Sequence, residues 1–389
     1  GLDTLRKALA EEINDAREAG QIPDPGLLLE QALLLRRQGQ TPASDALLAE
    51  LGTGNSPQSA LAQALLDPER KPDSPANEIL IDALPKGGVL QLWSCEALTP
   101  DANCDAARAS RRALLQLTSV SVLPVLLLLL GSTALLRELW LRWRGRAAEA
   151  PPLQGPQLSG LDAVLLIAGG FVVIGELLTP LLVGPLLTGL LLQLAVTSPL
   201  REGISVVSLY LALMAGPLLI LALMLRGKGA LAGLQFRWNP LALNLRQGLK
   251  GLLMVLPLVS LVGWLQGQLW GDPGGSNPLL ELVLNSHNVP ALACFGFTAI
   301  VLAPLFAATI FRGALLPVAA RKLGSTGGIL LSAAVFAVAH LSLGELLPLL
   351  VLGIGLGWLR MQSGRLGSCV LMHALWNGLT FANLVVLGW

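Results

Sequence analysis

Apolar residues follow two regimes along the chain. Before residue 110 they recur at helical spacing among polar positions. After it they run almost unbroken for long stretches. In the first part Leu5, Leu9 and Ile13 share a helix face, and Gly20 closes that segment. Residues 27–35, 43–51 and 59–66 read as three further helices punctuated by Pro and Gly. Residues 79–93 are apolar around a Pro-Lys-Gly-Gly turn, and both a hairpin and an amphipathic segment fit them. The second part predicts eight apolar segments, at 113–136, 161–188, 204–225, 249–270, 290–316, 328–343, 346–361 and 367–387. Roughly 20 residues rising 1.5 Å each cross a hydrocarbon layer about 30 Å thick. The second and fifth segments carry prolines, so tilt or kinking is expected. The sixth and seventh are short and separated only by Gly344 and Glu345.

Composition fits this division. The chain is 53% hydrophobic with mean hydropathy +0.65, which is membrane-protein composition. The net charge of +1 hides a split: residues 1–107 carry a net −9 and the remainder a net +10. The fold expected is all-α and polytopic. It has an acidic helical soluble head over residues 1–110, four transmembrane segments over 111–289, and a core of segments five to eight over 290–389. The positive charge is spread over short loops, which excludes a nucleic-acid-binding patch.

Arginine and lysine alternate between loops. Arg137, Arg142, Arg144 and Arg146 follow the first segment; Arg226, Lys228 and Arg237 the third; Arg321 and Lys322 the fifth; Arg360 and Arg365 the seventh. The intervening loops hold only Arg201. The positive-inside rule puts the basic loops in the cytoplasm or stroma, and the head and C-terminus on the opposite face. Arg108, Arg111 and Arg112 run against this, and the alternation outweighs them. A translocated head needs a leader or an earlier helix, so a start at Gly1 reads as a processed or shortened chain. In an oxidising compartment Cys95 and Cys104 are candidates for a disulfide, with two free thiols as the alternative. Cys294 and Cys369, in apolar runs, read as small packing residues.

Ionisable groups inside apolar runs are rare and mark function. Arg312 ends the run 302–311, His340 lies at the end of Phe336-Ala-Val-Ala-His340, and His373 and Asn377 stand four apart on one helix face. Singly, each histidine fits an interhelical hydrogen bond to backbone; together they read as a site. Glu176, between Gly175 and Pro180, either lines a cavity or pairs with an arginine. His287 reads as a solvated loop residue, Arg246 and Lys250 as side chains snorkelling to the interface, and Trp140, Trp143, Trp264 and Trp270 as interfacial anchors.

Phe336-x-x-x-His340 and His373-x-x-x-Asn377 resemble the second and third motifs of the CPBP (Abi) family of intramembrane proteases, which includes the type II CAAX prenyl endopeptidases. The family's first motif is Glu-Glu-x-x-x-Arg, and in this register the chain reads Ala307-Ala308-Thr309-Ile310-Phe311-Arg312. The resemblance spans roughly residues 290–389. It implies an intramembrane endopeptidase that acts on a membrane-embedded or membrane-associated protein or peptide, without a cofactor. Ala307 stands at the catalytic glutamate and Ala308 at the second. The resemblance makes His340 the partner of that glutamate, His373 and Asn377 oxyanion donors, and Arg312 a support that pairs with a carboxylate or carbonyls. A two-histidine metal site is disfavoured, since catalytic zinc usually takes three protein ligands. Alanine accepts no proton, so the chain is expected to be inactive or nearly so. With the other motif residues intact, the alanine pair reads as a deliberate Glu→Ala change, and a natural pseudoprotease that holds membrane clients as a scaffold is the alternative. No inverted repeat or matched pair of broken helices supports a transporter. The composition and appended head suggest a bacterial inner membrane or a thylakoid or plastid-type membrane.

Overall fold

The computed structural model describes residues 2–388 apart from 73, 85–87, 100–103, 105, 227–232, 271–281 and 285. Lys228 and most of the Pro-Lys-Gly-Gly turn therefore lie outside the described residues. The described residues are helical with no strand, and they divide into two compact units, 1–118 and 119–388.

The first unit opens with six helices: α1 Leu2–Glu18, α2 Pro25–Arg37, α3 Thr41–Leu51, α4 Pro57–Leu66, α5 Pro75–Asp82 and α6 Val89–Leu98. Residues 79–82 and 89–93 are thus helical, in α5 and α6, rather than strands of a hairpin. α2 is the hub, with Leu28, Leu29, Leu33 and Leu34 buried among residues of α1, α3, α4 and α6. Full burial of each leucine contributes about 1.5–3 kcal/mol. Asp24 starts α2 by accepting hydrogen bonds from the backbone N–H of Gly26 and Leu27 at 2.7 and 3.2 Å. Cys95 and Cys104 form a disulfide. Glu30 is half-buried, and burial, then the nearby Glu12 charge, raises its carboxyl pKa above the ordinary value.

Among the described residues, seven helices are long and apolar enough to cross a membrane. They are α7 Ser110–Trp143, α8 Gly160–Gln193, α9 Leu200–Leu225, α10 Leu241–Leu269, α11 Val289–Val338, α12 Leu346–Ser363 and α13 Leu366–Gly388. The count falls one short of the eight expected because the fifth and sixth segments are joined in α11. This 50-residue stretch breaks at Gly324, whose φ of 72° and ψ of 171° are non-helical. Beyond the break the chain doubles back. A Cβ on Gly328 would lie 2.7–2.8 Å from Ala320, and the Ser332 hydroxyl donates to the Phe311 carbonyl at 2.9 Å. Residues 325–338 thus form an antiparallel arm against the motif-bearing arm, too short to count as a span by itself.

Small residues set the remaining approaches in the second unit. A Cβ on Gly353 of α12 would meet Ala333 at 3.0 Å, and one on Gly248 of α10 would meet the Met372 backbone at 3.0 Å. Polar contacts fix the register: Ser368 of α13 donates to Asn244 at 2.8 Å or to Gln247 at 2.7 Å. Lys250 donates through Nζ to Glu138 of α7 at 2.6 Å. The backbone widens into π-helical turns at Leu165–Leu178, Thr298–Leu302 and Ala308–Leu315, a departure frequent at functional sites.

Candidate active site

A cavity of about 640 Å³ lies within the second unit. Three of the four π-helical stretches among the described residues contribute to its wall, through Phe171 and Glu176, Thr298 and Ala299, and Phe311, while Thr118–Val122 does not. Ala307, His340, His373 and Asn377 also line it. The hairpin of α11 brings the first two together, and α13 supplies the other two one helical turn apart.

Phe336 organises the polar groups. Its ring lies 4.6 Å from the His340 ring and 5.7 Å from the His373 ring, both edge-on, and the Arg312 guanidinium sits 4.2 Å from its centroid. His340 falls in the turn beyond Val338, not inside a helix as the apolar run suggested. The chain leaves the helix there, and Leu341 takes a left-handed φ of 53°. The ring then folds back so that Nδ1 donates to the Phe336 carbonyl at 2.8 Å, satisfying one of the open carbonyls at the helix end. A carbonyl can only accept, so Nδ1 carries the proton and Nε2 of the neutral ring is left as an acceptor.

His373 is 4% exposed, and its Nδ1 has no partner among the described residues. Asn377 donates through Nδ2 to the Ala299 carbonyl at 2.7 Å, tying α13 to the motif-bearing arm. Ala308 and Arg312 are buried and do not line the cavity. Arg312 donates to the Gly353 carbonyl at 3.2 Å, while Nε and Nη1 have no partner among the described residues. His287 is exposed and does not line the cavity. Among the described residues, no group of three or more His, Cys, Asp and Glu side chains could hold a metal ion.

Sequence reasoning missed part of this wall. Glu345 precedes α12 and lines the cavity, where burial raises its carboxyl pKa above the ordinary value. Tyr210 of α9 lines it too, edge-on to Phe306 with ring centroids 6.4 Å apart. The available signal was that Tyr210 is the chain's single tyrosine and sits inside an apolar run. Glu176 is half-buried on the cavity wall, in keeping with one of its two readings.

Fold and composition define an all-α polytopic membrane protein, with a mostly apolar cavity that collects two imidazoles and a carboxamide. Residues 289–379 match the family model for type II CAAX prenyl endopeptidase, Rce1-like, which makes this part of the chain a CAAX-protease-type domain of the CPBP family. No curated protein and no solved structure matches the chain.

Proposed function

We propose that the second unit is an intramembrane endopeptidase framework whose hydrolytic carboxylate is missing. The observation that carries this reading is the convergence of Ala307, His340, His373 and Asn377 on one cavity inside the matched region. Peptide hydrolysis requires a water that gives up a proton to a nearby base. A glutamate at position 307 would stand on the cavity wall that His340 also lines. His340 Nε2 offers an acceptor there, and His373 and Asn377 offer groups to steady charge on the carbonyl oxygen.

Ala307 can take no proton, so this chain is an inactive or nearly inactive form of such an enzyme. General-base catalysis is worth about 10²–10⁴-fold. Restoring Ala307→Glu with Ala308→Glu is therefore expected to raise cleavage of membrane peptides by at least about 10²-fold. Adding His340→Ala should abolish the gain. New peptide termini mapped by mass spectrometry in membranes carrying each chain make the comparison. Identical termini in all three would refute the reading.

A non-catalytic scaffold is the second reading, favoured by the alanines themselves: a cavity without a base can hold a membrane client intact. The alternation of basic loops supports a cytoplasmic or stromal position for those loops and the opposite side for the head. Reporter fusions at the C-terminus test this, with a periplasmic-type signal expected. The bilayer is bacterial inner membrane or thylakoid-type on this reading.

A further inference from the structure

Two carboxylates in the cavity have no role in the chemistry above. Glu176 comes from the π-helical stretch of α8, and Glu345 from the turn before α12. Neither has a hydrogen bond or ion pair among the described residues, and no Lys or Arg lines the cavity among them. The nearest arginine of the motif, Arg312, is 0% exposed and engaged behind Phe336. Ionisable groups without a partner are costly in a membrane interior, and two in the lining of a largely apolar cavity leave it electrostatically incomplete. His373 lines the same cavity and is 4% exposed, and its Nδ1 is buried without a partner among the described residues.

We propose that Glu176 and Glu345 recognise a basic side chain, lysine or arginine, of a membrane peptide lying in the cavity beside His340 and His373. The volume suits a ligand of that kind, since binding cavities commonly measure about 300–1,000 Å³. The long methylene stem of lysine or arginine matches the apolar wall, and its charged tip matches the carboxylates. Tyr210 and Trp376, which also line the cavity, add aromatic faces on which a cation can rest. The inference rests on the endopeptidase framework for its assumption that the occupant is a peptide. It concerns selection of that peptide, not hydrolysis.

The test uses the full chain in lipid nanodiscs and two fluorescent transmembrane peptides, identical except for lysine or norleucine at the central position. The lysine peptide should bind about tenfold more tightly, the size of one charge-assisted hydrogen bond. In the Glu176→Gln, Glu345→Gln chain the two peptides should bind within about twofold of each other, and Glu176→Asp should retain the preference. Norleucine binding that is unchanged by the double substitution identifies a folded cavity and a specific loss. Equal binding of both peptides to the unsubstituted chain, binding of neither, or a preference that survives the double substitution overturns the proposal. The glutamate-restored chain separates the two readings. Cleavage indifferent to lysine overturns the proposal and leaves the endopeptidase reading standing. Lysine-selective binding without cleavage supports the proposal and counts against hydrolysis.

Discussion

Arg312 is a fully buried cation whose contacts are one carbonyl and two aromatic faces, with no carboxylate paired to it among the described residues. Removing one partner of a buried ion pair strands the other at a cost of about 3–5 kcal/mol, whereas replacing both with apolar groups is often neutral. Arg312→Met in the present chain should therefore leave thermal stability unchanged or raise it. In an Ala308→Glu background the same substitution should cost about 3–5 kcal/mol. A double-mutant cycle on melting in detergent measures the coupling, and additive effects would remove the case for a carboxylate at position 308. At this scale the sequence was informative because polar groups are conspicuous in apolar runs. His340, His373, Asn377 and Glu176 all stood out, and all line the cavity. Glu345 did not, because a glutamate in a short turn looks ordinary until the turn is seen to close over a pocket.

At the scale of elements, the hairpin in α11 decides whether His340 reaches the wall that Ala307 occupies. Its two arms touch at Gly328, where any Cβ must displace the Ala320 backbone. Gly328→Leu should destabilise the second unit by about 1–3 kcal/mol or more, read as a lower melting temperature. In the glutamate-restored chain it should also reduce cleavage. The length rule found both arms from their apolar runs, but it could not show that residues 325–338 end as a helix at Val338. That boundary is set by tertiary packing against α12 and by the left-handed Leu341, neither of which leaves a periodic mark in the sequence. The π-helical stretches were equally invisible, because one additional residue in a turn barely disturbs a run that is apolar all round.

For the whole molecule, the acidic head and the basic-looped body separate cleanly in charge between residues 107 and 108, and the two compact units divide between Thr118 and Ser119. The head has its own acid dependence. Burial disfavours the charged form of Glu30, so this residue's contribution to stability is fully present below the unfolded carboxyl pKa and is lost as pH rises through the higher folded value. Glu30→Gln should therefore raise the head's melting temperature at neutral pH. The difference should vanish in acid, below the unfolded carboxyl pKa. An unchanged neutral-pH melt would contradict the burial argument. Reduction of the Cys95–Cys104 disulfide, which closes a nine-residue separation, should lower head stability by roughly 2–3 kcal/mol, measurable by melting with and without reductant.

The aromatic ring at Phe336 makes the site self-reporting. A benzene ring in a magnetic field carries a circulating current that displaces the resonances of nearby protons, and here both cavity imidazoles lie within 6 Å of the same ring. The chain has only three histidines, and the third, His287, is exposed in a loop. A histidine-labelled sample therefore yields a sparse spectrum in which two signals are displaced by a common source and one is not. Phe336→Leu should move those two together, and a peptide entering the cavity should perturb them while leaving the His287 signal in place.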